Sequence, residues 1–251
     1  MTGSWDIRAR VQYEGDAHVQ EDACGFRGAN AWIIDGATAL LEPLGLPAAS
    51  DPQWLAQRLN TELAAGAGAG GVKALLAGAL AAIDRDATAL VGPERVRFPS
   101  AAASVAQLNR DGVEVASLAD CTVLVRTHDG VTHLVRASPA AEDAAARTAR
   151  LRRDRELRNT PGKLWVARRE PEAANHALVV QLDRPNLMVM ASDGAWRAVE
   201  LGLVDGPEEF LARTATTLDA LELMLELRRE QARIGEVADD ATVLTLAPRP
   251  S

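Results

Sequence analysis

The chain predicts a layered mixed α and β fold, two packed sheets covered by helices, on three observations. Strand-like runs occur at both ends, WDIRARVQY from Trp5 to Tyr13 and ATVLTLAP from Ala241 to Pro248. Short apolar runs separated by turn signals fill the middle, from Ser100 to Arg136. Helical stretches lie between these sets of strands, so strands distant in sequence must share sheets and leave the helices outside. No internal repeat or linker interrupts the pattern, and 47% hydrophobic content over 251 residues can fill one large core. A single domain over residues 1–251 is therefore expected.

The elements follow in order. WDIRARVQY alternates well enough for a half-buried strand, the polar loop GDAHVQEDACG follows, and NAWIIDG makes a second strand ending at Gly36. Asp51-Pro52 opens a helix with an acid at the cap and proline at the first helical position, and VKALLAGALAAIDRDATAL forms another. Between them GAGAGG, Gly66 to Gly71, has the glycine spacing of a dinucleotide loop but follows a helix rather than a strand, so a flexible helix connection is the reading taken. AAASVAQL, VEVASLAD, CTVLVRT and VTHLVRA, broken by NRDG and HDG, read as consecutive antiparallel hairpins. Ser138 to Asn159 is rich in helix formers and charge, and its cluster of Arg147, Arg150, Arg152, Arg153, Arg155 and Arg158 reads first as a solvated helix face, with a docking surface for anionic substrate as the second reading. HALVVQLD and NLMVMASDG are strands, AWRAVELG a helix, Pro207 to roughly Arg233 a helical region, and ATVLTLAP the last strand.

Composition excludes several classes of function. A net charge of -8 gives no basic footprint for a nucleic-acid backbone or an anionic membrane. Cys24 and Cys121 are too few for a disulfide framework and have no Cys/His ligand spacing around them. No apolar run approaches the roughly 20 residues a bilayer requires, and the N-terminus lacks a signal core, so a cytoplasmic protein is expected.

Two strand-like runs, WIIDG and VMASDG, end abruptly in Asp-Gly, at Asp35 and Asp193. Such an ending holds a carboxylate at a rigid sheet edge, while glycine permits a sharp turn and leaves its carbonyl approachable. Further acids stand at strand edges: Glu21-Asp22, Asp120 and Asp239-Asp240. Each alone reads as a turn or cap residue. Together they are oxygen donors from several strands, the material from which a cage for a hard divalent cation is built.

The order of the blocks sharpens this reading. QEDA at Gln20 to Ala23, IIDGAT at Ile33 to Thr38, SAAASVAQL at Ser100 to Leu108, LADCTVLV at Leu118 to Val125, MASDGAW at Met190 to Trp196 and DDATVLTL at Asp239 to Leu246 occur in the order of the signature blocks of the metal-dependent serine/threonine protein phosphatases, the type 2C family. Over nearly its whole length the chain resembles that family. The resemblance implies an α+β fold, a four-layer α-β-β-α sandwich of two antiparallel sheets flanked by helix pairs, with metals in a cleft at one end. It implies Asp35 as the aspartate bridging two ions, Mn2+ or Mg2+, and the Gly36 carbonyl as a ligand of the first. Glu21, Asp193 and Asp239 correspond to carboxylates around the second, and Asp120 with Asp193 to the holders of a third in some members. Asp35, Asp193 and Asp239 are the carboxylates on which catalysis is expected to depend, with Asp22 supporting the ligands.

The implied activity is hydrolysis of a phosphomonoester, phosphoserine or phosphothreonine in a protein substrate, by a metal-bridging hydroxide and without a cysteine nucleophile. Three departures bear on it. Ala17 stands where many members carry a phosphate-gripping arginine, and His18, Arg27 or Arg10 could substitute, His18 being the nearest. Ala37 replaces a histidine suited to protonating the leaving group. Ala119 replaces the usual glycine before Asp120, and Arg197 stands where an acid is frequent. The alternative reading is a weak or inactive module that binds a phosphorylated signalling partner.

Overall fold

The structure, a computed structural model, describes residues 3–39, 41–68, 70–137 and 155–249. Ten strands form two five-stranded antiparallel sheets. One has the order β1 (Trp5–Tyr13), β10 (Ala241–Pro248), β9 (Pro185–Ala191), β6 (Thr122–Thr127), β7 (Thr132–Val135). The other runs β2 (Ala23–Arg27), β3 (Asn30–Gly36), β4 (Ala101–Leu108), β5 (Gly112–Leu118), β8 (Leu178–Asp183). Helices α1 (Asp51–Gly66) and α2 (Val72–Val91) cover the second sheet. Helices α3 (Asp193–Glu200), α4 (Gly206–Arg213) and α5 (Thr217–Ile234) cover the first. The helical region expected from Pro207 is thus two helices, because Thr216 caps a new one by accepting from Asp219 N at 3.3 Å. Of the helix expected over Ser138 to Asn159, residues 138–154 lie outside the described residues, and 155–157 are helical. Among the described residues no helix is long and apolar enough to cross a membrane.

Central strands read as continuous apolar runs because both faces are buried. Ile33 of β3 packs between the sheets with Met190 and Leu244, while Trp32 and Ile34, on its other face, pack beneath α1 and α2. On β9, Met188 and Met190 face the inter-sheet core, and Val189 and Ala191 face α3 and α5.

Backbone packing joins the strand ends that matter for function. Neither Gly36 nor Gly194 has positive φ, so neither serves the sharp turn expected of Asp-Gly. Both are needed for close approach: a Cβ at Gly36 would stand 2.6 Å from the Glu21 carbonyl oxygen, and one at Gly194 would strike the carbonyl of Asp240. The missing side chains let the segment before β2 press on the end of β3, and the segment before β10 press on α3.

Two glycine substitutions should therefore have opposite signs. Gly194→Ala forces backbone apart and should lower the unfolding free energy by about 1–3 kcal/mol or more. Gly78→Ala, at an exposed position in α2 with open space around it, should raise stability by up to about 1 kcal/mol. Urea denaturation of both variants checks the pair.

Candidate active site

Sheet register collects the acids at one end of the sandwich. Ala23 pairs with Ile34, so the next step of the ladder sets Asp22 opposite Asp35 and Glu21 opposite Gly36. In the other sheet Val243 pairs with Ala191. Just beyond that pair, Ser192 N donates to Thr242 O at 3.1 Å and Thr242 N donates to Ser192 Oγ at 2.9 Å, fixing the start of α3 against the start of β10. Asp193 is the first residue of α3, and its backbone N–H donates to Asp35 Oδ2 at 3.1 Å, a direct bond between the two sheets. Asp120 sits in the β5–β6 turn behind Ala119, whose φ of 61° is the left-handed value the expected glycine would have favoured.

An inner group forms around Asp35. Burial pushes its carboxyl well above the usual range, and the neighbouring charges of Asp193, Asp22 and Asp120 push it further, against the Asp193 N–H bond that favours the anion. Asp22 is raised to about 8, by burial first and then by Asp240 and Asp193, only partly offset by the hydroxyls of Thr242 and Ser192. One of its oxygens, Oδ2, is buried without a hydrogen-bond partner. The Cys121 thiol is held well above its ordinary value by burial and by the same acids, and burial lifts Cys24 to about 11. Neither thiol is a nucleophile near neutral pH.

An outer group forms around His18. Its Nε2 lies 3.5 Å from Asp239 Oδ1, and its Nδ1 lies 3.8 Å from both Glu21 Oε2 and Asp240 Oδ2. Burial lowers its pKa, yet the Val19 carbonyl and these three carboxylates outweigh that and raise it. The ring thus stands among the acids, in addition to being the nearest cationic side chain to Ala17. Asp240, buried, accepts from Gly15 N at 2.7 Å and Glu21 N at 2.5 Å, tying the first loop to the last strand. Asp239 beside it is half exposed. Glu21 is raised by burial, although Ser50 Oγ donates to its Oε1 at 2.5 Å, and its buried Oε2 has no hydrogen-bond partner. Asp22, close to both Asp193 and Asp240, joins the two groups, a role its sequence context did not signal.

The donors suit hard divalent cations: they are crowded carboxylates, with Asp22 and Asp35 raised in pKa by burial and by their neighbours, and with buried oxygens on Glu21 and Asp22 that nothing in the described protein satisfies. They are not a closed cage as they stand, since no three His, Cys, Asp or Glu side chains among the described residues converge on one ion position. Of the departures, Arg197 is engaged elsewhere, donating to Glu236 at 2.7 Å and Glu200 at 3.1 Å.

No protein-family model matches the chain, and no curated protein matches it. Solved structures do match over nearly its whole length. The PPM Ser-Thr phosphatase MsPP from Mycobacterium smegmatis, solved with cacodylate, superposes with a TM-score of 0.59 at 17% identity, covering 97% of this chain and 99% of that one. The Mycobacterium tuberculosis serine/threonine phosphatase PstP/Ppp gives 0.61 at 13% identity, covering 97% and 98%. A catalytic domain of PstP in complex with two manganese ions gives 0.56 at 16% identity, covering 99% and 100%. The chain has the fold of the PPM serine/threonine phosphatases, the two-sheet α+β architecture expected from its signature blocks.

Asp22 predicts a pH dependence with a definite sign. Its folded pKa is above its unfolded one, so between the ordinary carboxylate range and about pH 8 the folded state keeps a proton that the unfolded state has lost. In chelator the melting temperature should fall as pH rises through that window, and Asp22→Asn should flatten the slope. An unchanged slope in the variant would mean that Asp22 ionises normally.

Proposed function

We propose that the protein is a divalent-metal-dependent phosphatase acting on phosphoserine or phosphothreonine in protein substrates, in the cytoplasm. The observation that carries this reading is the arrival of Glu21, Asp22, Asp35, Asp120, Asp193 and Asp239 at one end of a PPM-type sandwich, from segments spread along the whole chain. The two manganese ions of the PstP structure support the same reading for this chain.

Asp35 and the Gly36 carbonyl would hold one Mn2+ or Mg2+, Asp35 with Glu21, Asp193 and Asp239 a second, and Asp120 with Asp193 a third. Such ions, when bound, polarise phosphoryl oxygens and make water acidic enough to attack at neutral pH. The chain's own contribution is positional. The Asp193 N–H steadies one Asp35 oxygen and leaves the other to turn toward a ligand. Asp240, pinned by two backbone N–H groups, holds Glu21 and Asp239 at a fixed separation from the end of β10. His18 offsets the mutual repulsion of Glu21, Asp239 and Asp240. Ala37, two places after Asp35, offers no proton for the leaving alkoxide.

A second reading, a weak or inactive module that binds a phosphorylated partner, draws on Ala17 and on the absence of a closed three-donor cage among the described residues. Assay of a small phosphoester and a phosphopeptide with Mn2+ or with chelator separates the two. Metal-dependent turnover favours the enzyme, and binding without turnover favours the module.

Two variants test the ligand set. Asp35→Asn removes the carboxylate charge shared by both ions and should abolish metal-dependent turnover in a protein that still folds. Asp193→Ala relieves repulsion and loses a ligand, so in chelator it should melt no lower than the parent, yet gain much less from added Mn2+. Equal gains in paired melts would make Asp193 a helix-start residue only.

A further inference from the structure

Three arginines stand together near the exit of β3, and Arg155, the one close to Glu21, has no ion-pair partner among the described residues. Arg155 Nη2 donates to the carbonyl oxygens of Ala37, at 3.1 Å, and of Thr38, the two residues after Asp35-Gly36. Carbonyls orient a guanidinium without neutralising it. Arg155 Nε is buried with no acceptor among the described residues.

Behind it Arg158, buried, donates from Nη1 to Ser100 Oγ, and Ser100 O accepts from Ala37 N at 2.9 Å. Arg168, its side chain 3% exposed, donates from Nη1 to the Arg155 carbonyl at 3.5 Å. Its nearest carboxylate, Glu170, lies 3.9 Å from Nε, beyond hydrogen-bond reach, and Glu170 already accepts from Arg95 at 2.7 Å. Nε and Nη2 of Arg168 are buried without acceptors among the described residues. Burying the Arg155 and Arg168 donors without acceptors is costly unless an anion joins them.

We propose that Arg155, backed by Arg158 and Arg168, is an oxyanion site that takes the phosphoryl group of the substrate, filling the role left open by Ala17. The proposal rests on the phosphatase reading above and adds to it the residue that holds the substrate. A planar guanidinium offers a fork of donors matched to two phosphoryl oxygens, and Arg155 alone of the three is half exposed and so open to a ligand. Its position is right for the chemistry. It is bonded to the segment leaving Asp35, and Glu21 is near enough to favour its charge. Burial and the two neighbouring arginines nevertheless pull its pKa down to about 10, which accords with a cation awaiting a counter-charge. Arg155 also lines, with Ala37, Leu41, Arg97 and Pro99, a small recess of about 10 Å³, room for a water but not for a peptide. Arg158 and Arg168 act through Arg155 and the Ala37 strand exit, as positioning residues.

The test compares the parent with Arg155→Ala and Arg155→Lys. Calorimetric titration with Mn2+ should give Arg155→Lys the parent's affinity and Arg155→Ala an affinity no weaker, because Arg155 bonds no carboxylate among the described residues and its charge near Glu21 opposes a cation there. In the alanine variant the KM for a phosphopeptide and the inhibition constant for inorganic phosphate should both rise by about tenfold or more, the scale of one lost charge-assisted hydrogen bond, with kcat changing less. Lysine, which keeps the charge without the fork, should fall between. Unchanged KM and phosphate inhibition in a folded, metal-binding Arg155→Ala protein would overturn the site while leaving the phosphatase reading intact. If the parent hydrolyses nothing, thermal melts in Mg2+ with and without phosphate decide. A phosphate-dependent rise in the parent that Arg155→Ala lacks keeps the oxyanion site and removes the hydrolysis. No rise in the parent, or an equal rise in both, overturns the site.

Discussion

The architecture depends on the contact of backbone with backbone at two glycines. Where Gly36 meets Glu21 and Gly194 meets Asp240, there is no room for a single methyl group, and the contacts bring the acid-bearing segments before β2 and β10 against the end of β3 and the start of α3. Carboxylates repel, so side chains alone would not assemble such a group. The ladders of β2 with β3 and of β9 with β10 impose the assembly, their stability coming from apolar side chains buried on both faces far from the acids. The hydrogen bond from Asp193 N to Asp35 then links the two sheets at their charged end.

The electrostatic consequence is a gradient across one end of the molecule. The inner acids around Asp35 are mutually unfavourable, the outer acids surround His18, and Arg155 is bonded to the segment that leaves Asp35. Proteins keep such arrangements where a ligand resolves them, because strongly shifted groups are costly to retain. Cations suit the acids and an oxyanion suits the arginines, and the two sets are joined through the few residues after Asp35. A phosphoryl group bridging the two would satisfy both at once.

Much of this was legible in the sequence because it was written in periodicity and order. The limits of β10 agree with ATVLTLAP, and β4 and β5 flank the NRDG turn, since alternation and turn residues are local signals. Asp35 and Asp193 stood out because each ends an apolar run. The reason for their glycines was not legible, because a close approach depends on which distant backbone lies opposite, and in the structure this replaces the turn role expected of them. The connecting role of Asp22 required the register of β2 on β3. Arg155 and Arg158 were visible only as part of a charged stretch, and Arg168 was not singled out, because the sequence carries no sign that Arg155 folds back onto Ala37.

The central claim is that the acids at this end of the sandwich hold divalent cations. An anomalous-difference map from crystals grown with Mn2+ tests it most directly. The account requires strong peaks within coordination distance of Asp35, with Asp193, Glu21 and Asp239 turned toward them. A well-ordered structure at saturating Mn2+ with no peak beside Asp35 would contradict it.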